Sequence, residues 1–217
     1  MLLRFESNGS HRHLRVAPPD PAPAARPELR RQLQAARRAL TPGARLHAAH
    51  LIARHAERTL ALRHGARVAL YAALPQELDT RPLIELARRR GCRLYLPRID
   101  RPRSARGMRF IEHGARLRRN RLGIEEPEGQ RAVGARWLDL VFLPLVGFDR
   151  RGVRLGTGGG YYDRAFAFRR WRQAWHAPLL VGIGFACQEV ERLPLEPHDV
   201  LMDAVITEEG LIRCATG

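Results

Sequence analysis

Lysine does not occur among the 217 residues: all 38 basic residues are arginine, set against 22 acidic ones, for a formal net charge of +16. A surface this basic ordinarily attracts polyanions. Yet the arginines are scattered through apparent helices and loops, with no dense basic arm. They read as a solvated surface and not as a dedicated nucleic-acid face, although the planar guanidinium fork suits phosphate-bearing small molecules. Cysteine is scarce. Cys92, Cys187 and Cys214 are an odd, widely spaced set that fits neither a disulfide framework nor a paired-thiolate zinc site, so a reducing, cytoplasmic setting is expected. Long apolar runs are missing: nowhere do about 18 apolar residues stand together, and Arg4 and Glu6 interrupt the start where a secretory segment needs an unbroken apolar core. The expectation is a soluble monomer that is neither exported nor membrane-bound.

The length fits one domain with a real core. Residues 1–26 hold the run APPDPAPAAR, whose prolines cannot donate hydrogen bonds and whose small side chains bury little, so residues 1–25 are expected to form a disordered tail. The domain then occupies 26–217. Leu29, Leu33, Ala36 and Leu40 recur at helical spacing. Thr41 before Pro42 reads as an N-cap opening a second helix through Leu51, Ile52, Ala56 and Leu60. RVALYAAL, Arg67 to Leu74, predicts a buried strand. Thr80 and Pro82 start a helix through Leu83, Leu86 and Ala87, which Gly91 ends before a strand over Leu94 to Pro97.

Further strands are expected at Met108 to Glu112, Leu138 to Phe148, Pro178 to Phe185 and Val200 to Thr207, with a helix from Tyr162 to Trp171. LDLVFLPLVGF is the most continuously apolar run, as a strand covered on both faces requires. Strands alternating with helices predict a single three-layer α/β/α domain around a mostly parallel sheet.

Between that central run and the next helix lies RLGTGGGYYDR, Arg154 to Arg164. Such a turn gathers backbone N–H groups, free of side chains, where a phosphate can bind them. It has no lysine-serine or lysine-threonine pair for a Walker A loop, and its third position in the dinucleotide pattern falls on Tyr161 or Asp163. Gly156, Gly158, Gly159 and Gly160 could serve only a tight turn, though a turn seldom needs four glycines. Arg154 can clamp phosphate oxygens. Asp163, a hard oxygen donor, can share Mg²⁺ with a nucleotide or act as an acid at a helix start.

The run LPLVGFDRRGVRLGTGGGYYDR closely resembles the signature of the 5-formyltetrahydrofolate cyclo-ligases, also called methenyltetrahydrofolate synthetases. LRRQLQAARRAL, LYAALPQELDTRPLIELA, LGIEEP and EPHDVLMDAVITEEG agree with that family in order and spacing, so the resemblance spans roughly 26 to 210. It implies an ATP- and Mg²⁺-dependent enzyme that closes 5-formyltetrahydrofolate to 5,10-methenyltetrahydrofolate, with ADP and phosphate released.

The resemblance also implies roles. Arg154, Leu155, Gly156, Thr157, Gly158, Gly159, Gly160, Tyr161 and Tyr162 would line the ATP phosphates, with Thr157 to Tyr161 also bordering the folate. Arg26 and Arg30 would reach the nucleotide. Asp163 and Asp199 would contact Mg²⁺. Glu77 would hold the pterin through its N–H edge, and Ala72 would touch the same substrate. Arg154, Tyr161 and Asp163 are the residues assigned to catalysis. The family often has lysine at the place of Arg26 and a basic residue at Thr157 or Gly159, so one or two of the family's phosphate contacts are expected to be absent here. Two other readings compete. A nucleic-acid-binding relative without turnover would bind in a steeply salt-dependent way. An isomerase or acyl-transfer enzyme would need a nucleophile, for which Cys187 with Glu189 is the candidate.

Overall fold

The computed structural model describes residues 25–99, 108–113, 117–119, 125–127, 132–171 and 178–215. The proline-rich start and the first half of LGIEEP lie outside them. In chain order the elements are α1 (Arg26–Ala39), α2 (Pro42–Thr59), β1 (Arg67–Ala69), α3 (Arg81–Arg89), β2 (Arg93–Ile99), β3 (Met108–Glu112), β4 (Leu117–Arg119), β5 (Glu125–Pro127), β6 (Ala132–Val133), β7 (Leu140–Pro144), β8 (Gly147–Phe148), β9 (Arg154–Leu155), α4 (Tyr161–Ala165), β10 (Leu179–Ile183), β11 (Ala204–Thr207) and β12 (Gly210–Arg213).

The helix starts follow from local chemistry. Thr41 accepts a hydrogen bond from the Ala44 N–H at 3.1 Å, and Pro42 begins α2 where its missing N–H costs nothing. Gly91, at φ +69°, ends α3 in the left-handed conformation that favours glycine.

The main sheet has the order β12-β11-β10-β7-β1-β2-β3-β6. Its five central strands, β11 to β2, run parallel, while β12, β3 and β6 pair antiparallel at the edges. The fold is thus the expected α/β class with a mostly parallel sheet. Strand side chains alternate between two cores. Val68, Leu140, Phe142, Val181 and Ile206 pack against α2 and α3 on one face; Ala69, Val141, Leu143, Leu180 and Val205 pack on the other, with Phe166 and Met202. A smaller cluster of Leu33, Val146, Val153, Leu155 and Leu193 joins α1 to the β8–β9 ribbon.

Four expectations are corrected. The strand foreseen over 67–74 pairs only through Ala69, because the chain leaves the sheet after Leu70. The apolar run 138–148 is not one strand: β7 ends at Pro144, and β8 turns into the ribbon with β9. Apart from Pro144 at the bend both pieces are buried, so hydrophobicity alone does not mark the break. The helix over 162–171 is instead α4 followed by a 3-10 turn, Ala167–Trp171. The change falls at Phe166, whose buried ring packs 5.8 Å from that of Phe110. Finally, β12 continues a chain that was expected to end its strands at Thr207.

Candidate active site

In an open parallel sheet a crevice forms at the carboxyl ends of strands whose connections diverge. Here β1 is followed by β2 on one side and lies beside β7 on the other. A cavity of about 700 Å³ opens there, within the range of small-molecule sites. Its walls come from the ends of β1 (Tyr71, Ala72), β2 (Pro97, Ile99) and β7 (Pro144, Leu145), the glycine loop, the start of α1, and the segment 196–199.

The approach to the loop is fixed by buried Asp149. Its carboxylate accepts hydrogen bonds from the N–H groups of Arg151, Val153 and Leu193 and pairs with the Arg151 guanidinium at 2.8 Å. Gly152 permits the turn: at φ +86°, a Cβ would lie 2.4 Å from the Met202 carbonyl oxygen. The chain then enters β9 and places the Arg154 side chain, 5% exposed, in the cavity wall. In the loop, Gly158 and Gly160 have φ of +105° and +61°, so the backbone itself demands glycine at these two positions. Gly156 differs, since a Cβ there would meet nothing within 4 Å. α4 is a single turn, and the positive charge around the loop comes from arginines.

The loop is braced and charged from outside. Arg30 donates to the Gly156 carbonyl oxygen at 2.8 Å. Arg154 pairs with Asp163 at 2.7 Å and lies over the Tyr162 ring, 5.8 Å from its centre. Arg164 lies 5.0 Å from the Tyr161 ring centre. Arg26, 8% exposed, pairs with Asp199 at 2.6 Å and Glu196 at 3.0 Å. Asp163 also accepts from the Val200 N–H at 3.3 Å, so the segment carrying Asp199 abuts Asp163. Carboxylate oxygens are the donor type that magnesium favours. Glu196, His198 and Asp199 offer ligand atoms all within 4.8 Å of one another.

Across the cavity, Glu77 closes a small loop on itself. Its carboxylate accepts from the Leu74 N–H at 3.0 Å, and its own N–H donates to the Leu74 carbonyl at 2.8 Å. Burial raises the Glu77 carboxyl above its ordinary range, while the Leu74 N–H and the charge of Arg37 pull it back. Burial also raises the hydroxyls of Tyr71 and Tyr162, so both stay protonated.

Arg26, Arg30, Ala72, Glu77, Arg154, Gly156 to Asp163 and Asp199 therefore line one cavity. Leu155 does not. Its side chain is fully buried in the α1 cluster, and its carbonyl is used by the Val146 N–H. Sequence reasoning missed Tyr71, Glu196 and His198, all of which lie within or beside segments singled out by motif. Cys187 is exposed outside this wall, and burial of the sulfur together with the Glu208 charge raises its thiol, the reverse of what an activated nucleophile needs. Its neighbour Glu189 is held by Arg150 at 2.6 Å.

The profile of the 5-formyltetrahydrofolate cyclo-ligase family matches residues 22–208. A protein of that name from Escherichia coli is 41% identical over 144 residues, covering 64% of this chain and 76% of the relative. One from Haemophilus influenzae is 32% identical over 186 residues, covering 83% and 97%. The solved structure of an Aquifex aeolicus 5,10-methenyltetrahydrofolate synthetase superposes with a TM-score of 0.74 at 27% identity, covering 89% of this chain and 94% of that one. That of a Mycoplasma pneumoniae 5,10-methenyltetrahydrofolate synthetase, at 24% identity and a TM-score of 0.66, shares the fold.

Proposed function

This chain belongs to the 5-formyltetrahydrofolate cyclo-ligase family, and from that premise we propose that it spends ATP, with Mg²⁺, to close 5-formyltetrahydrofolate to 5,10-methenyltetrahydrofolate. The observation that carries this reading is a single cavity with a carboxylate, Glu77, on one wall and a glycine loop ringed by Arg26, Arg30 and Arg154 on another. One end suits a pterin N–H edge and the other suits phosphates.

A formamide oxygen is a poor leaving group. In the proposed sequence the γ-phosphoryl of ATP passes to the formyl oxygen and ADP departs. N10 then attacks the formyl carbon, its proton leaves, and the carbon–oxygen bond breaks to release phosphate. Phosphoryl transfer rests on positioning and charge neutralisation, with little covalent work for the protein.

The roles of the chain's own groups follow from where they stand. The N–H groups of the loop from Gly156 to Gly160 bind the phosphates, and Arg154 and Arg26 neutralise them. Tyr161 and Tyr162 offer ring faces beside the loop, which suits a flat heterocycle. Glu77 orients the pterin, with Ala72 leaving room beside it. Asp163 and Asp199 would hold Mg²⁺, which would supply charge neutralisation for the nucleotide phosphates. Thr157 offers only a hydroxyl where the family often carries a positive charge, so Arg30 and Arg154 bear more of the phosphate contact here.

The test is direct. Protein, 5-formyltetrahydrofolate and MgATP are mixed and the ultraviolet absorbance of the methenyl product is followed. A rise that needs both ATP and Mg²⁺ is expected; none, with an active control enzyme in parallel, sinks the reading.

A further inference from the structure

The glycine loop is carried by a ribbon that stands outside the main sheet. β8 and β9 form a two-stranded sheet of their own, and the loop begins directly after Leu155 at the end of β9. The opposite wall of the cavity stands on β1, β2 and β7 of the main sheet. Phosphoryl transfer needs the two walls in register, because a misplacement of about 1 Å can cost about a hundredfold in rate. The backbone passes from sheet to ribbon through Leu145 and Val146, so whatever fixes that crossing fixes the register.

Gln188 stands at the crossing. It is 1% exposed and does not line the cavity. It ends the 3-10 turn Ala186–Gln188 that follows β10, and this turn is tied to the main sheet: the Gly184 N–H donates to the Ile206 carbonyl at 3.3 Å, and the Ala186 N–H to the Glu208 carboxylate at 3.0 Å. From there the Gln188 Nε2 donates to the carbonyls of Leu145 at 3.0 Å and Val146 at 2.8 Å. Its Oε1 accepts from the Phe185 N–H at 2.9 Å. That last bond decides which way the amide faces, since a flipped amide would set its oxygen against two carbonyls. Val146 in turn gives its N–H to the Leu155 carbonyl at 2.7 Å, one residue from Arg154 and one from Gly156. A short path of hydrogen bonds thus runs from the end of β10 to the root of the phosphate loop.

Two glycines clear room for the contact. A Cβ on Gly184 would lie 2.7 Å from the Leu145 Cδ1 and 2.9 Å from the Gln188 Oε1, and one on Gly182 would lie 2.9 Å from the Leu145 Cδ2. Leu145 is therefore seated over the end of β10 while its carbonyl is held by Gln188. A buried amide is unfavourable unless its hydrogen bonds are made. Here both donors are spent on the stretch of backbone that joins the two halves of the site.

We propose that Gln188 is a positioning residue for the reaction: from outside the cavity, its amide sets where the ribbon and its phosphate loop stand relative to the wall built on the main sheet. It thereby sets the approach of the γ-phosphoryl to the formyl oxygen. Each half of the site binds its own ligand without Gln188, but the two are aligned for transfer only with it. The inference rests on the proposed ATP-dependent ring closure.

The experiment compares wild type with Gln188→Met, which removes the amide at similar volume, and Gly184→Ala, which keeps the amide and crowds it together with Leu145. Ile52→Ala, destabilised in the core beneath α2 and remote from the crossing, is the control. For each, melting and circular dichroism report the fold, calorimetry reports the separate binding of MgATP and of 5-formyltetrahydrofolate, and methenyl absorbance reports kcat. Gln188→Met and Gly184→Ala are expected to bind each ligand within about threefold of wild type while kcat falls about tenfold to a hundredfold. Ile52→Ala should keep kcat per folded molecule within about twofold, since lost stability alone does not misalign the site. A folded Gln188→Met with wild-type kcat overturns the proposal, as does a loss confined to binding or an equal fall of kcat in Ile52→Ala. If Gln188→Met does not fold, Gly184→Ala decides by the same criteria. A wild-type protein that makes no methenyl product takes down the ring-closure reading and this one together; wild-type turnover with unaltered kcat in the variants removes Gln188 alone.

Discussion

Asp163 answers to two demands. As a proposed Mg²⁺ ligand it has to face a nucleotide, and in the free protein it neutralises the buried Arg154 and accepts from the Val200 N–H. Truncation to alanine therefore confuses the two, because it strands a buried cation at a cost of about 1–3 kcal/mol. Asp163→Asn keeps an acceptor for both donors while losing the charge. It is expected to melt within a few degrees of wild type and to lose roughly a hundredfold or more of Mg²⁺-dependent turnover. Wild-type turnover in this variant removes Asp163 from the mechanism.

Glu77 allows a second test at the same scale. Burial holds its folded carboxyl above the ordinary value, so the folded protein binds that proton more tightly than the unfolded chain does. Its contribution to stability is complete below the unfolded carboxylate range and is lost as pH rises through the folded value. Glu77→Gln, which never ionises, should accordingly melt higher than wild type near pH 8 and no higher near pH 4. A variant that melts lower than wild type at pH 8 contradicts a carboxylate kept charged at the expense of stability.

Among the elements, those whose signal is local were legible in the sequence. α1, α2 and α3 announce themselves by apolar spacing and by Thr41, Pro42, Pro82 and Gly91 at their ends. The glycine loop and Glu77 were legible by motif. What stayed hidden depends on contacts distant in sequence. The bend between β7 and β8 sits in a run that is apolar throughout, and the buried Gln188 amide secures it by donating to the carbonyls of Leu145 and Val146 at 3.0 and 2.8 Å.

The loop makes its own prediction. Gly158→Ala forces a side chain into φ +105°, costing roughly 1–2 kcal/mol and lowering the melting temperature by about 2–8 °C. Gly156→Ala meets open space, so it should melt like wild type while raising the ATP KM, because that space is where phosphates are proposed to lie. Thermal melts and nucleotide kinetics on the two variants separate these effects. An unchanged ATP KM in Gly156→Ala would move the phosphates away from that end of the loop.

At the scale of the whole molecule, the surplus of positive charge does not leave the candidate site bare. Arg26 is neutralised by Asp199 and Glu196, and Arg154 by Asp163, so the carboxylates that would hold Mg²⁺ are already covered by the arginines that would hold phosphate. Free Mg²⁺ competes with a guanidinium for either carboxylate, and free ATP competes with an acid for each arginine. Supplied together, they exchange partners: phosphate takes the arginines and Mg²⁺ takes the released carboxylates. Binding of the two is then cooperative, and linkage requires each to strengthen the other by the same factor. Millimolar Mg²⁺ alone should leave the melting temperature unchanged, and ATP with a chelator should raise it slightly. MgATP at about a hundred times its Kd should stabilise the fold by about 2.7 kcal/mol, roughly 5–11 °C for a domain of this size. Equal shifts with Mg²⁺ alone and with MgATP would mean that the acids of the free site are open, and that the arginine pairs seen here do not guard them.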